Sequence, residues 1–173
     1  MPGRTLSKSK ASAYDPGKAG PDEPAQRVLR QFRQVFNAVK THFQQVEKKV
    51  GLGGAQVWAL SVLQQCPGIG VGALAAAMNI HQSTASNLVK GLVERELITV
   101  TRDAVDRRVV LLKLLPAGAR ILRRTPGPFA GVLPNALAAL DQKKLKRLEA
   151  DLAKLIAVLE VDDRLGGIPL GHH

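Results

Sequence analysis

Cysteine is nearly absent from this chain, with Cys66 the only one in 173 residues. One cysteine excludes an internal disulfide framework, and a reducing cytoplasm is therefore the expected location. The four histidines, His42, His81, His172 and His173, lack the spacing of a zinc site. We predict no metal and no other cofactor.

Long apolar runs and catalytic motifs are missing as well. The chain has no stretch of about eighteen apolar residues that could span a membrane, and its first residues lack the apolar segment of a signal peptide. It has no glycine loop for phosphate, no nucleophile with a nearby base and no carboxylate pair among apolar residues. These absences predict a protein that is neither membrane-bound nor an enzyme.

The composition favours helices and an anionic partner. Aromatic residues make up 3% of the chain and hydrophobic residues 45%, so the core is expected to consist mainly of Leu, Val and Ala in a mostly helical domain. The 25 Lys and Arg against 14 Asp and Glu leave a formal net charge of +11. Such an excess of positive charge favours nucleic acid as the partner.

The most informative stretch runs from Met78 to Leu115. Apolar residues in its first part recur every three or four positions, as on the buried face of a helix: Ile80, Ala85, Leu88, Val89 and Leu92. After Leu97 the period changes to that of β-strands on both sides of the turn RDAVDRR. The stretch therefore predicts a helix followed by a β-ribbon with a basic tip.

The helix, the LIT strand, the DxxDRR turn and the segment LLKLLPAG resemble the winged helix-turn-helix of the MarR family of bacterial transcription regulators. The similarity runs from Ala25 to Val161 when the flanking helices are included, and Asp106-Arg107-Arg108 is its most specific part. The resemblance implies a mostly α fold with a small β-hairpin wing and long N- and C-terminal dimerisation helices. The chain departs from the family pattern at the sequence TPGP, which predicts a helix break near Thr125.

Two apolar seams lie at opposite ends of the sequence. One follows residues 25–50 in steps of three and four, and the other runs from Leu137 to Leu159, with Asp141 as the expected N-cap of its helix. The two seams can bury each other and still leave surface for a second copy of the chain. We therefore predict a homodimer, as the resemblance also implies; a monomer in which these helices only close the core is the alternative.

These patterns assign each part of the chain. Residues 1–24 have no hydrophobic period and are expected to form a disordered N-terminal tail. Residues 25–50 and 116–162 form the helical dimerisation region, and residues 53–115 form the winged helix-turn-helix region that binds DNA. Residues 163–173 also lack a period and are expected to be a loose C-terminal tail.

The predicted helix of the central stretch carries six candidates for DNA contact: Gln82, Ser83, Thr84, Ser86, Asn87 and Lys90. Gln82 or Asn87 can pair with adenine through two hydrogen bonds, whereas Ser83, Thr84 and Lys90 are suited to phosphates. Since no arginine lies between His81 and Lys90, readout of guanine is expected to be poor. We predict a target rich in A and T, or specificity shared with DNA shape.

Arg107 and Arg108 lie at the predicted tip of the ribbon. A guanidinium that enters a minor groove gains from the negative potential there without reading a particular base. Asp106 is better suited to pairing with a neighbouring arginine and orienting it, a role that the resemblance supports. From charge alone, an ordinary solvated hairpin is an equally good interpretation.

Two further candidate sites concern a bound ligand and a response to oxidants. The resemblance implies an effector pocket near His42 and Trp58, and a small aromatic or phenolic ligand. Cys66 allows two interpretations, a small hydrophobic residue of the core or a sensor of oxidants.

The sequence as a whole predicts a transcriptional regulator that binds specific double-stranded DNA as a homodimer and acts as a ligand-responsive repressor. One alternative is a winged-helix adaptor that binds proteins and no specific DNA. Another is a regulator that senses oxidants through Cys66. Salt-sensitive binding to promoter DNA would distinguish a regulator from an adaptor.

Overall fold

The computed structural model describes residues 23–102, 110–160 and 162–170. Within these ranges the fold is mostly helical with one antiparallel β-hairpin, as predicted. The elements are α1 (Pro24–Val50), α2 (Gly54–Gln65), α3 (Val71–Met78), α4 (Gln82–Glu94), β1 (Ile98–Arg102), β2 (Val110–Leu114), α5 (Pro116–Arg124), α6 (Val132–Ala138), α7 (Gln142–Leu159) and a 3-10 helix (Asp163–Gly167). Residues 1–22, in the predicted N-terminal tail, lie outside the described ranges. None of the helices in the described ranges is long and apolar enough to cross a membrane.

The boundary between two compact units, Met1–Val35 and Phe36–His173, falls inside α1. In the first unit, the α1 residues Val28, Leu29 and Val35 are exposed. In the second unit, Val39 and Val46 of α1 are buried. The apolar seam predicted on α1 is therefore covered at only some of its positions.

The core of the second unit is centred on α2, of which eight of the 12 residues are buried. A helix with apolar residues on all sides belongs in the interior, since it has no polar face to turn toward water. Neighbouring elements each add large, fully buried side chains: Leu74 and Met78 from α3, Leu92 from α4, Ile98 from β1 and Leu112 from β2. This core holds α3, α4 and the base of the ribbon in fixed positions around α2.

The two strands pair antiparallel, with Ile98 opposite Leu114 and Arg102 opposite Val110. The base of the ribbon is joined to the loop after α2 by two hydrogen bonds. The Gly68 N–H donates to the Leu112 carbonyl (3.1 Å), and the Leu112 N–H donates to the Ile69 carbonyl (3.0 Å). The ribbon therefore leaves the core in a direction set by both its side chains and its backbone.

Helix α5 ends at Arg124, so the break predicted near Thr125 is confirmed. The buried Thr125 hydroxyl donates to the Ile121 carbonyl (2.8 Å), and its N–H donates to the Leu122 carbonyl (3.2 Å). The Gly127–Pro128 peptide bond that follows is cis. A new helix, α6, begins only at Val132.

Helix α7 begins at the predicted N-cap, because the Asp141 carboxylate accepts a hydrogen bond from the Lys144 N–H (2.8 Å). None of the residues of α7, all of which the structure describes, is buried. Ile156 is 47% exposed and Leu159 is 61% exposed. The residues of the second predicted seam are therefore half-buried or exposed within a single chain.

Residues 163–170 depart from the loose tail that the sequence predicted. Asp163–Gly167 form a 3-10 helix, and the Gly167 carbonyl accepts a hydrogen bond from the His81 N–H (3.3 Å). A contact made by the backbone of a glycine leaves no hydrophobic period in the sequence. Residues 171–173 of the predicted tail lie outside the described ranges.

Candidate nucleic-acid interface and adjoining cavity

Helices α3 and α4 form a helix-turn-helix with a closely bonded turn. Asn79 ends α3 in the left-handed conformation, with φ of 51°. Its N–H donates to the Ala76 carbonyl (3.1 Å), and the Ile80 N–H donates to the Ala75 carbonyl (3.0 Å). These are the bonds of a Schellman-type helix end. Because Ile80 also packs against the core, the turn fixes the direction in which α4 begins.

Helix α4 has one apolar face and one polar face, as the sequence predicted. Ala85, Leu88, Val89 and Leu92 are buried. On the other side Thr84 is half-buried, and five of the six predicted contact residues are exposed: Gln82, Ser83, Ser86, Asn87 and Lys90. The structure therefore presents a row of hydrogen-bonding side chains on a helix whose opposite face is anchored in the core.

The first turn of α4 constrains how this face can bind. The Ser86 hydroxyl donates to the Gln82 carbonyl (2.8 Å), which leaves the Ser86 oxygen available mainly as an acceptor. His81 is the N-cap residue, and its side chain makes no capping hydrogen bond. Backbone N–H groups in this turn are therefore not satisfied by a His81 side-chain cap, and such groups at a helix N-terminus favour phosphate oxygens.

The predicted tip of the wing, with Asp106, Arg107 and Arg108, lies outside the described residues. The strands that lead to it end at Arg102 and Val110, and both of these residues are exposed. Arg102 was not among the contact residues predicted from the sequence. Arg102 is paired with Val110 at the last described position of the ribbon. It therefore places a positive charge at the end of the ribbon where the chain continues into the arginine-containing turn.

A cavity of about 230 Å³ lies within the second unit, beside the turn between α3 and α4. Its lining is largely apolar and includes Val39, Phe43, Trp58, Met78, Ile80 and Leu133. The Phe43 ring lies so close to Gly54 and Gly131 that a Cβ atom at either glycine would meet it. Since an apolar cavity of roughly 150 Å³ can bind benzene, this cavity is large enough for a ligand with one aromatic ring.

The structure separates the two residues predicted for the effector pocket. Trp58 lines the cavity, but His42 is not among the residues that form its wall. His42 Nε2 instead donates to the Pro128 carbonyl (3.0 Å), and its ring meets Phe43 edge-on at a centroid distance of 5.4 Å. His42 can therefore affect the cavity by holding Phe43, rather than by touching a ligand directly.

Cys66 is exposed at the C-cap of α2. The interpretation of this residue as part of the hydrophobic core was therefore wrong. Pro67 disfavours helical geometry at Cys66, and α2 ends just before this residue, at the edge of the core. Sensing of oxidants by Cys66 stays a prediction. Among the described residues, no group of three His, Cys, Asp or Glu side chains could hold a metal ion.

The anchored turn, the polar face of α4 and the adjoining ribbon define a winged helix-turn-helix protein. Residues 50–109 match the sequence profile of the MarR family. The chain is 24% identical over 135 residues to the uncharacterized HTH-type transcriptional regulator YsmB of Bacillus subtilis (strain 168), with 78% of this chain and 92% of YsmB covered. It is 21% identical over 143 residues to the HTH-type transcriptional repressor MdtR of the same organism, with 83% of this chain and 92% of MdtR covered. The chain is thus similar to HTH-type transcriptional regulators over most of its length, and to the MarR family over residues 50–109.

A solved structure has a similar fold. It is the structure of BpsR from Bordetella bronchiseptica, a protein whose DNA binding is regulated by 6-hydroxynicotinic acid. The two folds compare with a TM-score of 0.51 at 22% identity, and the comparison covers 83% of this chain and 100% of the BpsR chain.

Proposed function

We propose that this protein is a repressor that binds specific double-stranded DNA as a homodimer and releases it when a small aromatic ligand binds. The observation that carries the proposal is the exposed polar face of α4, which the buried residues Leu88 and Leu92 hold outward. An α-helix fits into the major groove of B-DNA. The name of the relative MdtR, a transcriptional repressor, supports repression as the outcome.

The chemistry of the exposed face favours adenine over guanine. Gln82 and Asn87 are exposed amides. The NH2 group of an amide can donate to adenine N7 while its oxygen accepts a hydrogen bond from the adenine N6 amino group. Ser83 and Lys90 are suited to phosphate oxygens. Because the face has no arginine, the most frequent means of reading guanine is missing from it. We therefore propose an operator rich in A and T.

The wing would add binding energy in the neighbouring minor groove. Arg107 and Arg108 would insert there, with Asp106 orienting one of them, and Arg102 would lie nearer the ribbon base. A narrow minor groove at A and T steps has the most negative potential and attracts arginine. The preferences of the helix and of the wing thus agree.

A second copy of the chain would cover the apolar surface left open. In the second unit, Leu155, Ile156 and Leu159 of α7 are exposed. In the first unit, Val28 and Val35 are exposed. Large apolar patches of this kind mark interaction surfaces, and a twofold dimer would present two α4 helices to half-sites roughly 34–36 Å apart.

The cavity beside the turn would be the ligand site. Its lining by Phe43 and Trp58 suits stacking with an aromatic ring. The wall of the cavity includes Met78 and Ile80, which flank the turn that sets the direction of α4. A ligand that displaced these residues would change the spacing of the two α4 helices, and DNA would then be released.

The DNA-binding proposal is tested by footprinting on the DNA upstream of the protein's own gene. We expect protection of an A+T-rich site at low salt, and weaker protection by the double variant Arg107→Ala and Arg108→Ala. Asn87→Ala should lose roughly 1–3 kcal/mol of discrimination at one base pair. Asn135→Ala is the matched control, because Asn135 is an exposed amide on α6. Failure to bind any duplex at low salt would favour the adaptor alternative.

The dimer is tested by size-exclusion chromatography with light scattering. Ile156→Asp would place a charge in the proposed interface, and we expect it to yield a monomer that protects DNA poorly. Lys146→Asp is the control, since it introduces the same residue at an exposed polar position of the same helix. A wild-type protein that stays monomeric at the concentrations used for footprinting would contradict the proposal.

A further inference from the structure

The C-terminal segment 162–170, which we call the C-terminal strap, is bound to the first residue of the recognition region. Its Gly167 carbonyl accepts a hydrogen bond from the backbone N–H of His81 (3.3 Å). His81 is the N-cap residue of α4. The strap therefore contacts the point where the turn becomes the helix with the proposed DNA-binding face.

The contact depends on glycine at one position of the strap. A Cβ atom at Gly167 would overlap the imidazole ring of His81. A Cβ atom at the neighbouring Gly166 would meet no atom within 4 Å. The backbone of the strap thus lies directly against the His81 ring at Gly167, and only there is the lack of a side chain required.

The three residues that follow Gly167 form part of the cavity wall. Ile168, Pro169 and Leu170 line the cavity together with Trp58 of α2. The same three residues line a second, wider groove along α1 that includes Phe36. One short run of chain therefore joins the ligand cavity to the N-terminus of α4.

The strap leaves the proposed DNA-binding face open. Gln82, Ser83 and Asn87 are exposed in the structure that has the strap in place. A segment that blocked DNA would instead cover these side chains. The contact with His81 is therefore better suited to holding α4 in position than to hiding it.

We propose that the C-terminal strap couples the cavity to the recognition helix. With the strap seated, the backbone bond between His81 and Gly167 holds the start of α4 in the arrangement that binds DNA. A ligand that enters the cavity competes with Ile168, Pro169 and Leu170 for the same wall, lifts Gly167 from His81 and weakens DNA binding. This inference rests on the proposed function, because it needs α4 to bind DNA.

The test compares Gly167→Ala with Gly166→Ala in the full chain. Each variant adds one methyl group to the strap, but only the first places it against His81. We expect Gly167→Ala to bind its DNA site about two- to tenfold more weakly, the range that corresponds to the loss of one backbone hydrogen bond. Gly166→Ala should bind like the wild type.

Tryptophan fluorescence gives a second readout that needs no DNA. Trp58 is the only tryptophan in the chain, and it shares the cavity wall with the strap. Displacement of the strap should therefore make Trp58 more accessible to quenching by acrylamide in Gly167→Ala, and not in Gly166→Ala. Circular dichroism of both variants would verify that the helices are intact.

A second substitution tests whether the His81 ring is the cause. In a His81→Ala background the ring that blocks a Cβ at position 167 is removed, so adding Gly167→Ala should bring no further loss of DNA affinity and no further quenching. If Gly167→Ala lowered the DNA affinity as much in the His81→Ala background as in the wild type, the proposed contact would be overturned.

The outcomes also distinguish this inference from the proposed function. Equal DNA affinity and equal quenching for the two glycine variants would overturn the strap proposal and leave DNA binding untouched. Tighter DNA binding by Gly167→Ala would overturn it too, because the strap would then inhibit. A wild-type protein that binds no duplex would overturn the proposed function, whatever the quenching shows.

Discussion

The close approach of α5 to the start of β1 can be tested at Gly118. A Cβ atom on Gly118 would lie 2.5 Å from the carbonyl oxygen of Leu97 and 2.7 Å from Cδ1 of Leu114. The Leu97 carbonyl cannot shift freely, because it also accepts a hydrogen bond from the Leu115 N–H (3.0 Å). We therefore expect Gly118→Ala to displace backbone, and not merely a flexible side chain.

Two opposing contributions set the expected change in the free energy of unfolding. Adding a methyl group to a packed site costs about 1–3 kcal/mol, whereas replacing glycine by alanine inside a helix gains about 1 kcal/mol. Gly118→Ala should therefore lose up to about 2 kcal/mol. Gly72 in α3 is the matched control, because a Cβ there meets no atom within 4 Å, and its replacement should gain up to about 1 kcal/mol.

Thermal unfolding followed by circular dichroism measures this difference. The protein concentration must be the same for both variants, because the proposed dimerisation would make Tm depend on it. For a chain of this size about 1 kcal/mol corresponds to roughly 2–4 °C, so Gly118→Ala should melt several degrees below Gly72→Ala. If Gly118→Ala melted at the same temperature as Gly72→Ala or higher, the close approach of α5 to β1 would be wrong.

Three further predictions concern single positions. The Lys144 side chain, and then the Lys144 N–H, lower the pKa of Asp141 below its usual value of 3.8. The ionised Asp141 carboxylate therefore stabilises the fold above about pH 4, and this contribution is lost as the pH falls through the lowered pKa. Asp141→Asn should flatten that part of an acid unfolding curve, and an unchanged curve would contradict the assignment. Leu112→Ala should cost about 2–5 kcal/mol in urea unfolding because Leu112 is fully buried, whereas Val100→Ala, at an exposed position of the same ribbon, should stay within about 0.5 kcal/mol of the wild type. If Cys66 senses oxidants, peroxide will release DNA from the wild type and not from Cys66→Ser, and equal release from both would end that hypothesis.

The sequence predicted the elements whose burial follows a local period. In α4, apolar residues at steps of three and four gave the buried face that includes Ala85 and Leu92. The change of period after Leu97 placed the two strands, and the prolines after Thr125 placed the end of α5. Each of these features depends on neighbours in the chain, so a local pattern is enough to find it.

The cavity could not be predicted in the same way. Phe43 lies within the apolar seam predicted along residues 25–50, yet its ring lies against Gly54 and Gly131 and forms part of the cavity wall. A residue that fills a core and a residue that borders a cavity have the same apolar character. The difference lies in the size of the residues that the side chain faces. Phe43 faces two glycines, Gly54 and Gly131, which are far apart in the sequence.

The exposure of Cys66 has a similar cause. Its neighbours in the sequence, Val62 and Leu63, are buried, and a cysteine next to apolar residues is usually a buried one. Because α2 ends at Gln65, the chain turns away from the core just before Cys66. The buried run ends at Leu63, and Gln64, Gln65 and Cys66 are all exposed.

The C-terminal strap shows most clearly what a local pattern leaves out. Its contact with His81 is made by a backbone carbonyl and by the absence of a side chain at Gly167. Neither feature contributes to a hydrophobic period, so the same glycines that allow the contact also make the segment look unstructured in the sequence. A glycine-containing terminal segment is therefore poor evidence for a loose tail when a flat ring, such as that of His81, is exposed elsewhere on the fold. The paired alanine substitutions at positions 166 and 167 would measure this directly, because only the latter alters the contact.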